Sequence, residues 1–482
     1  MLHITDSPRP SSNRKKRSDA ALNKARLVEA ARTVLAEQPQ ASMATIAAEA
    51  GLGRNTIHRH FPTRQDLIDA VRLQATDDSV ANDQDYLRKP GELSGLAPTP
   101  LSVSDVLNKV PPFQLGTQIV AEAQRLDGVS SAAIYLVDLD GAQLRRLAGA
   151  HTFPPILPID LAVGPEIPRE AVAALRATIE QHLPNATVAP MYLRGRAIGV
   201  MLAIGTEEAE LRALAQESAA ALSLAERYTD QAARVRRSRA TSPAAEIQQN
   251  MLPPRIVRVG GAMLAGNVMP GYEIGGDWFD YTDNPEGAWL GIADTEGNGA
   301  RAAATAAVVL GAFRAARHLE RATPASCVHL MKETLAELGT SQVSMSTTIA
   351  TWSGAQGLLQ WVTCGDYPPL LVDAHGELRP LGELQPALGA ADFPRRLRIQ
   401  SWRVEREQRI LFVSDGVVER ENEAGERFGL AGIQRAITGT VRDSAASMVR
   451  AIEDAARSHS SRESDDDATL IALVPSSSPQ AH

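Results

Sequence analysis

Aspartates stand next to short apolar segments at four separate places in the C-terminal half of the chain. Asp277 lies in Gly-Gly-Asp-Trp-Phe-Asp, Asp294 follows Leu-Gly-Ile-Ala, Asp415 follows Ile-Leu-Phe-Val-Ser, and Asp466 begins Asp-Asp-Ala-Thr-Leu. Carboxylates that come close together repel one another unless they share a proton or a cation. Oxygen ligands favour hard divalent ions such as Mg²⁺ and Mn²⁺. For the first pair alone, solvated turn aspartates are an equally good interpretation, but four such segments favour a two-metal site.

Short strands are predicted to carry these aspartates. We predict a hairpin in which Asp277 and Asp294 each end a strand, with the polar segment 281–287 as the turn between them. An Ala-rich helix is predicted from residue 297 to about 319, and its N-terminus beside Asp294 suits anions. Further paired strands are predicted at 346–352 and 357–364.

The middle of the chain alternates between helix and hairpin patterns. In order, we predict a helix at 106–126, a hairpin of strands at 132–138 and 144–150, a second hairpin at 187–193 and 197–204, and a terminal helix at about 207–239. A short helix then precedes the Pro pair at 253–254. As a functional element the terminal helix transmits a signal to the next domain; as a structural one it is a rigid spacer.

The N-terminal segment has the pattern of a helix-turn-helix. Apolar residues at helical spacing predict a helix at 20–36, Ser42 is a plausible cap for a second helix at 43–50, and a third helix follows a Gly-containing turn at 51–53. Residues 1–75 contain twelve Lys and Arg against seven Asp and Glu, whereas the whole chain has a net charge of −8. A basic end on an acidic protein suggests contact with nucleic acid.

Composition limits the class of protein. A chain of 482 residues with 44% hydrophobic residues has length for roughly three domains with packed cores. The two cysteines, Cys327 and Cys364, have no metal-type spacing, so neither a disulfide framework nor a zinc site is expected. The chain contains no run of about 18 apolar residues, so no membrane-spanning helix is expected. We therefore expect a cytoplasmic protein without a membrane partner.

The segment from Ala47 to Ile68 resembles the DNA-binding head of tetracycline-repressor (TetR) type regulators, most specifically in its His-Phe-Pro-Thr-Arg run. The resemblance implies DNA as a partner, with one group of residues facing base edges and another holding phosphates. The first group is Arg54, Asn55 and Thr56, and the second is Ser42, His58, His60 and Arg64. His58 departs from the family, which usually has Tyr there. The alternative is a head that serves only for assembly.

The middle segment resembles a GAF-type sensory domain in its order of elements, with the run Gly-Arg-Ala-Ile-Gly-Val-Met-Leu at 195–202 as its best local mark. The resemblance implies an α+β domain that binds a small molecule or dimerises. We therefore expect a homodimer. The all-helical ligand domain usual in the repressor family does not follow the head, so no drug-like effector pocket is inferred.

The C-terminal segment resembles the bacterial SpoIIE/RsbU-type phosphatases of the PPM superfamily. The resemblance rests on Glu-Ile-Gln-Gln-Asn-Met-Leu-Pro, Gly-Gly-Asp-Trp-Phe-Asp, Asp-Thr-Glu-Gly-Asn-Gly, Ser-Asp-Gly-Val-Val-Glu and Asp-Asp-Ala-Thr-Leu, in this order. It implies an α/β sandwich (αββα) of two antiparallel sheets between helices, and it implies Mn²⁺- or Mg²⁺-dependent hydrolysis of phosphoserine or phosphothreonine in a protein, such as an anti-sigma-factor antagonist.

The same resemblance assigns a ligand set for two Mn²⁺ or Mg²⁺ ions, with four aspartates as the catalytic residues. Asp294 would bridge both ions, Asp277 and the Thr295 carbonyl would support one, and Asp415 and Asp466 the other, with Asp467 as the alternative if the register shifts by one. The usual Gly-His-Pro-Pro turn of the family is Gly-Asp-Tyr-Pro at 365–368 here, so the shape of the substrate groove is expected to differ.

Taken together, the patterns predict a multidomain protein with an all-α head, an α+β sensor and an α/β-sandwich phosphatase. The predicted parts are a disordered basic tail (1–18), the helix-turn-helix domain (19–74), a linker (75–100), the GAF-like domain (101–226), a helical linker or switch (227–250), the phosphatase domain (251–475) and a tail (476–482). The competing hypothesis is a transcriptional regulator whose phosphatase-like domain senses but does not catalyse.

Overall fold

The structure is a computed structural model that describes most of the chain from residue 26 to residue 476. The described residues are 26–28, 30–31, 34, 41–61, 63–64, 66–67, 106–270, 272, 275–339, 343–440, 443–460 and 466–476. It contains two units, residues 1–98 and residues 99–482. The predicted tail at 1–18 and the predicted linker at 75–100 lie outside the described residues.

The first unit contains the two predicted short helices, α1 (Met43–Glu49) and α2 (Arg54–His60). The Ser42 hydroxyl accepts a hydrogen bond from the backbone N–H of Thr45 and so caps α1, as the sequence predicts. Gly51, with φ +67°, makes the left-handed residue of the turn between them. Both helices bury apolar residues in one small core, including Ile46, Ile57 and Phe61.

The first half of the second unit contains one antiparallel sheet in the strand order β3-β2-β1-β6-β4, with β5 also paired to β6. Its strands are β1 (Ser131–Val137), β2 (Gln143–Gly149), β3 (Ile156–Pro158), β4 (Ile167–Pro168), β5 (Ala186–Leu193) and β6 (Arg196–Ile204). Its helices are α3 (Leu115–Ala123), α4 (Val172–His182), α5 (Glu208–Ala225) and α6 (Gln231–Arg236). We call this half the sensor region, after the sensory role that the sequence resemblance predicts for it.

Side chains of β1 alternate between two cores, as the period of two in a strand requires. Ala132, Ile134 and Leu136 pack with α3, α5 and α6 on one face of the sheet. Tyr135 and Val137 pack on the other face with residues of α4 and of the segment after β2. The predicted hairpins are therefore present, and they form an α+β layer.

The predicted terminal helix at 207–239 is wrong as one continuous helix, because α5 ends at Ala225 and α6 begins only at Gln231. Residues 226–230 contain no apolar side chains that could pack a continuing helix against the core, and Tyr228 is 80% exposed. After this break α6 turns back onto the sheet, where Ala232 is buried. The guanidinium of Arg236 donates to the carbonyls of Val137 and Ile198 at 3.2 and 3.3 Å. Satisfying these strand-end carbonyls favours the return over a straight helix.

The second half contains two antiparallel sheets, ordered β15-β12-β11-β10-β9 and β14-β13-β16-β17-β8-β7. The strands of the first are β9 (Trp278–Asn284), β10 (Gly287–Thr295), β11 (Met345–Ser353), β12 (Leu358–Cys364) and β15 (Gln400–Arg403). Those of the second are β7 (Ile256–Val259), β8 (Ala262–Met269), β13 (Leu370–Val372), β14 (Leu378–Pro380), β16 (Arg409–Val413) and β17 (Ala468–Pro475).

Helices cover the outer face of each sheet. They are α7 (Pro243–Met251), α8 (Gly299–Ala316) and α9 (Pro324–Glu337) near the first sheet, and α10 (Asp415–Val418), α11 (Gly429–Ile437) and α12 (Ala445–His459) near the second. One core lies between the sheets and contains side chains of both, such as Phe279, Leu290 and Phe412. Two outer cores lie under the helices. These layers are those of an α/β sandwich.

The hairpin of β9 and β10 differs in detail from its prediction. The turn is only Pro285 and Glu286, because β9 continues to Asn284 and β10 begins at Gly287. Asp277 therefore precedes its strand instead of ending it. Since Ala293 pairs with Trp278, Asp277 and Asp294 still come to the same edge of the sheet. None of the helices within the described ranges is long and apolar enough to cross a bilayer.

Candidate metal centre

The four predicted aspartates come together at one edge of the sandwich. Two of them belong to the first sheet, where Asp277 immediately precedes β9 and Asp294 is the next-to-last residue of β10. The other two belong to the second sheet, where Asp415 begins α10 just after β16 and Asp466 lies two residues before β17. The sandwich thus joins carboxylates that are far apart in sequence.

Asp467 fixes the turn that presents Asp277. One oxygen of its buried carboxylate, Oδ2, accepts hydrogen bonds from the backbone N–H groups of Gly276 and Asp277 at 2.8 and 3.2 Å. The same oxygen accepts from Nε2 of Gln248 on α7 at 2.7 Å, and that Nε2 also donates to the Asp277 carbonyl at 3.0 Å. Three donors on one oxygen assign Asp467 to holding the turn. Asp466 lies close enough to Asp415 and Asp294 for their charges to act on one another.

A buried hydroxyl orients Asp277 itself. Thr469 Oγ1 donates to Asp277 Oδ2 at 2.5 Å, and both residues are almost completely buried. Thr469 is in turn fixed by its backbone N–H, which donates to Ser414 Oγ at 2.8 Å. Gly276 lies against the Thr295 carbonyl, because a Cβ on this glycine would come within 3.1 Å of that oxygen. Gln248 and Thr469 were not predicted as site residues, although both lie in the motifs that carry the phosphatase resemblance.

The carboxylates raise one another's pKa. Asp294 lies within hydrogen-bonding reach of both Asp277 and Asp415, and burial together with Asp415 raises the pKa of Asp294 to about 9. Burial and the charges of Asp294 and Asp467 raise the pKa of Asp277 well above its usual value. Burial and Asp415 raise the pKa of Asp466 to about 6. The cluster therefore holds protons at neutral pH unless a cation replaces them.

The donor set fits divalent cations. Three carboxylate oxygens are buried and have no hydrogen-bond partner, namely Oδ1 of Asp277, Asp415 and Asp467. Unpartnered buried oxygens of this kind are costly unless a cation or proton satisfies them. In the described ranges no group of three or more His, Cys, Asp or Glu side chains is already arranged to hold an ion.

We expect Gln248→Leu to weaken Mn²⁺ binding roughly tenfold or more, because groups that orient metal ligands typically contribute 10–100-fold in affinity. It should also lower the free energy of unfolding by about 1–3 kcal/mol, since Asp467 loses a buried donor. Calorimetric titration with Mn²⁺ and chemical denaturation measure the two effects. Asn250→Ala, at an exposed position of the same helix, is the control. Equal Mn²⁺ affinities in both variants would remove Gln248 from the site.

A small cleft of about 20 Å³, with room for about one water molecule, lies beside Asp294. It is lined by residues at the ends of β10, β11 and β12 and by the 365–368 turn, including Ser346, Thr347, Cys364 and Tyr367. Gly365, with φ +105°, permits this turn, since a Cβ there would lie 2.2 Å from Ser346 Oγ. Tyr367, which belongs to the turn where this chain departs from the family, lines the cleft. Its hydroxyl donates to Glu419 at 2.8 Å.

The predicted DNA-contacting residues lie on or beside the two short helices of the first unit. Arg54, Asn55 and Thr56 form the first turn of α2; the side chains of Arg54 and Asn55 lie outside the described residues. His58 is exposed on the same helix. The other three predicted phosphate contacts are Ser42, which caps α1, His60, whose Nε2 is buried, and Arg64, which is partly buried. Their roles toward DNA stay predictions.

Comparison with known proteins gives two family matches in different parts of the chain. Residues 284–474 match Stage II sporulation protein E (SpoIIE), and residues 27–71 match the bacterial regulatory proteins of the tetR family. The HTH-type transcriptional repressor LfrR of Mycolicibacterium smegmatis is 46% identical over 55 residues, which are 11% of this chain and 29% of that repressor. The chain thus spans less than a third of the curated relative it matches.

Among solved structures, the SiaA-PP2C domain of Pseudomonas aeruginosa is 16% identical and has a TM-score of 0.41, with 48% of this chain and 93% of that one covered. The PP2C phosphatase domain of SpoIIE from Bacillus subtilis, with a fragment of its regulatory domain, is 11% identical and has a TM-score of 0.39, with 86% and 99% covered. By these matches, residues 284–474 resemble the SpoIIE family and residues 27–71 resemble the helix-turn-helix head of the tetR family.

Proposed function

We propose that the chain is a Mn²⁺- or Mg²⁺-dependent protein serine/threonine phosphatase whose two ions are held by the aspartates of the sandwich edge. The observation that carries the proposal is the meeting of Asp277, Asp294 and Asp415 from three separate segments, with buried oxygens on Asp277 and Asp415 that have no partner. A decayed site would be expected to lose such carboxylates, because close carboxylates without a cation destabilise the fold.

The residues divide the work of binding. Asp294, which reaches both Asp277 and Asp415, would contact both ions. Asp277 and the Thr295 carbonyl would complete one side, and Asp415 and Asp466 the other. When bound, paired divalent ions supply an activated water and stabilise charge on the attacking and leaving oxygens of phosphoryl transfer. Asp467, Gln248 and Thr469 keep Asp277 in place through hydrogen bonds.

No side chain of the cleft is suited to act as a covalent nucleophile. Cys364 lines the cleft, but burial raises the pKa of its thiol to about 12, so it stays protonated at neutral pH. Ser346 and Thr347 lie near the cleft, but within the described residues no histidine lines it. Thr347 instead donates its hydroxyl to the Ile292 carbonyl at 2.8 Å. Direct attack by water is therefore the mechanism that the residues favour.

For substrate and context, we propose a phosphoserine or phosphothreonine protein of the anti-sigma-factor antagonist type. The sensor region, which we assign to the GAF-like class, would gate the phosphatase in a homodimer. The head would bind DNA through the residues of α2. A cytoplasmic location is consistent with two buried cysteines that form no disulfide. These parts rest on the family resemblances and on the order of domains.

The proposal is tested by hydrolysis of p-nitrophenyl phosphate by the full chain, with Mn²⁺, with Mg²⁺ and with excess chelator. We expect turnover with either metal and none with the chelator. Folded protein that binds Mn²⁺ but hydrolyses neither this ester nor a phosphothreonine peptide would favour the non-catalytic regulator instead. For the head, a mobility shift with genomic fragments should weaken steeply as salt rises, since phosphate contacts release counterions.

A further inference from the structure

A short loop of the sensor region is embedded in the phosphatase region. This loop, residues 159–166, turns tightly through two backbone hydrogen bonds between Val163 and Glu166. Val163 is completely buried in the core that lies under α11 and α12, beside Ile256 and Met269. Gly164, with φ +49°, lies so close that a Cβ would come within 2.9 Å of Asn267 Oδ1. The contact is therefore an interlocking one in which an L side chain at 164 has no room.

Glu166 is the charged centre of this contact, and it is only 7% exposed. Its Oε1 lies 2.8 Å from Nε of Arg196 in its own sheet. Its Oε2 accepts a hydrogen bond from the backbone N–H of Ile256 at 2.9 Å, at the start of β7. One buried carboxylate thus joins the sensor sheet to the first strand of the second phosphatase sheet.

Arg255, the neighbour of Ile256, carries the connection to the metal centre. Arg255 is 5% exposed and lies close enough to Glu166 for their charges to attract each other. Burial lowers the pKa of Arg255 to about 10. Its Nη2 donates to Oε1 of Gln249 on α7 at 2.8 Å. Gln249 directly follows Gln248, whose amide holds Asp467 and the Asp277 carbonyl. The sensor loop and the metal centre therefore meet on adjacent residues of one helix.

Energetics argue that this arrangement does more than join two regions. Moving a carboxylate and a guanidinium from water into the protein interior costs free energy, and their mutual attraction seldom outweighs that cost. Apolar residues in their place would therefore make an equally stable contact. Charged groups add geometric specificity, because each of their hydrogen bonds holds its partner in one orientation. Here the fixed partners are the start of β7 and the helix α7.

We propose that Glu166 and Arg255 are positioning residues of the metal centre, which hold α7 through Gln249 so that Gln248 keeps the Gly276–Asp277 turn in its ligand-presenting form. The inference rests on the proposed metal site and adds the route by which the sensor region acts on it. That route is the 159–166 loop, whose Pro165 carbonyl also accepts a hydrogen bond from Arg236 of α6 at 3.2 Å. A ligand or partner that displaces the loop would loosen the Asp277 side of the site first.

The test compares Glu166→Gln and Gln249→Leu with wild type in the full chain. Glu166→Gln keeps an oxygen for the Ile256 N–H but loses the charge, and Gln249→Leu leaves the loop untouched. We expect both to weaken Mn²⁺ binding by roughly threefold to tenfold, at the lower end of the range for groups that orient ligands. We also expect faster hydrogen exchange at the amides of Gly276 and Asp277. Arg212→Gln, which removes an exposed ion pair with Glu208, should change neither.

Mn²⁺ binding is measured by calorimetry and exchange by mass spectrometry, both without turnover. Folded variants with wild-type Mn²⁺ affinity and wild-type exchange at both amides would overturn the proposal and leave the loop a purely structural contact. If wild type binds Mn²⁺ and the variants shift as expected, but no phosphate ester is hydrolysed, the positioning role stands and the phosphatase activity fails. The two ideas are thus separable.

Discussion

Replacing Asp294 by Asn is expected to reduce Mn²⁺-dependent hydrolysis by roughly a thousandfold or more, a loss of about 4 kcal/mol at 1.36 kcal/mol per factor of ten. Asp294 lies within reach of both Asp277 and Asp415, so its loss affects both sides of the site. The amide has almost the same shape but carries no charge for a cation. Turnover of p-nitrophenyl phosphate at saturating Mn²⁺ measures the effect.

The same variant should not unfold the domain. Because the pKa of Asp294 is raised to about 9, its carboxyl is already neutral in the metal-free protein at pH 7, and Asn replaces one neutral group by another. Thermal melting in chelator should therefore give a value equal to wild type or higher. Asp392→Asn, in an exposed loop, is the matched control and should retain full activity. Retention of turnover by Asp294→Asn would contradict the metal assignment.

Removing the metal is expected to make stability fall with rising pH. Asp294 has its pKa raised from 3.8 to about 9 in the folded protein, so the metal-free fold binds a proton that the unfolded chain releases. The contribution is complete below about pH 4 and disappears as pH rises through 9. Each pH unit between changes stability by up to about 1.4 kcal/mol, and we expect the melting temperature to drop by about 5 °C or more from pH 6 to pH 8.

Adding Mn²⁺ should reverse this trend, because ion binding requires the deprotonated carboxylates and becomes stronger as pH rises. Melting curves in chelator and in excess Mn²⁺, each at three pH values, measure these two opposite pH dependences of the melting temperature. Asp294→Asn is the internal control, since it removes a group with a strongly raised pKa and should reduce the slope in chelator. A metal-free melting temperature that is flat or rising over this interval would contradict the proposed protonation of the cluster.

The sequence motifs predicted which aspartates form the site, but they did not predict which residues hold those aspartates in place. Apolar strands that end at Asp294 and Asp415 indicated which residues meet, because antiparallel strands bring their ends to a common edge. The role of Asp467 was not visible, since two adjacent aspartates in a sequence do not reveal which of them is buried. Gln248 was part of a recognised motif, but its contacts depend on how α7 lies relative to Asp277 and Asp467, which periodicity does not encode.

The terminal helix shows a different limit. Residues 207–239 contain enough Ala, Leu and Arg for a continuous helix, and local propensity favours one. Tertiary contacts end α5. Ala232 becomes buried, and the guanidinium of Arg236 can donate to carbonyls of β1 and β6, only if the chain turns back. The buried charges of Glu166 and Arg255 were equally hidden, because each sits in an ordinary loop sequence and acquires its role from the partner across the contact.

The central place of β17 has a consequence for how the protein is made. This strand, Ala468–Pro475, pairs with β16 on one side and with β8, some 200 residues earlier, on the other. Contacts so distant in sequence close slowly. The second sheet therefore stays open during translation until residue 475 has left the ribosome, whereas the first unit can fold long before. A nascent chain would be able to acquire its N-terminal head while its candidate metal centre does not yet exist.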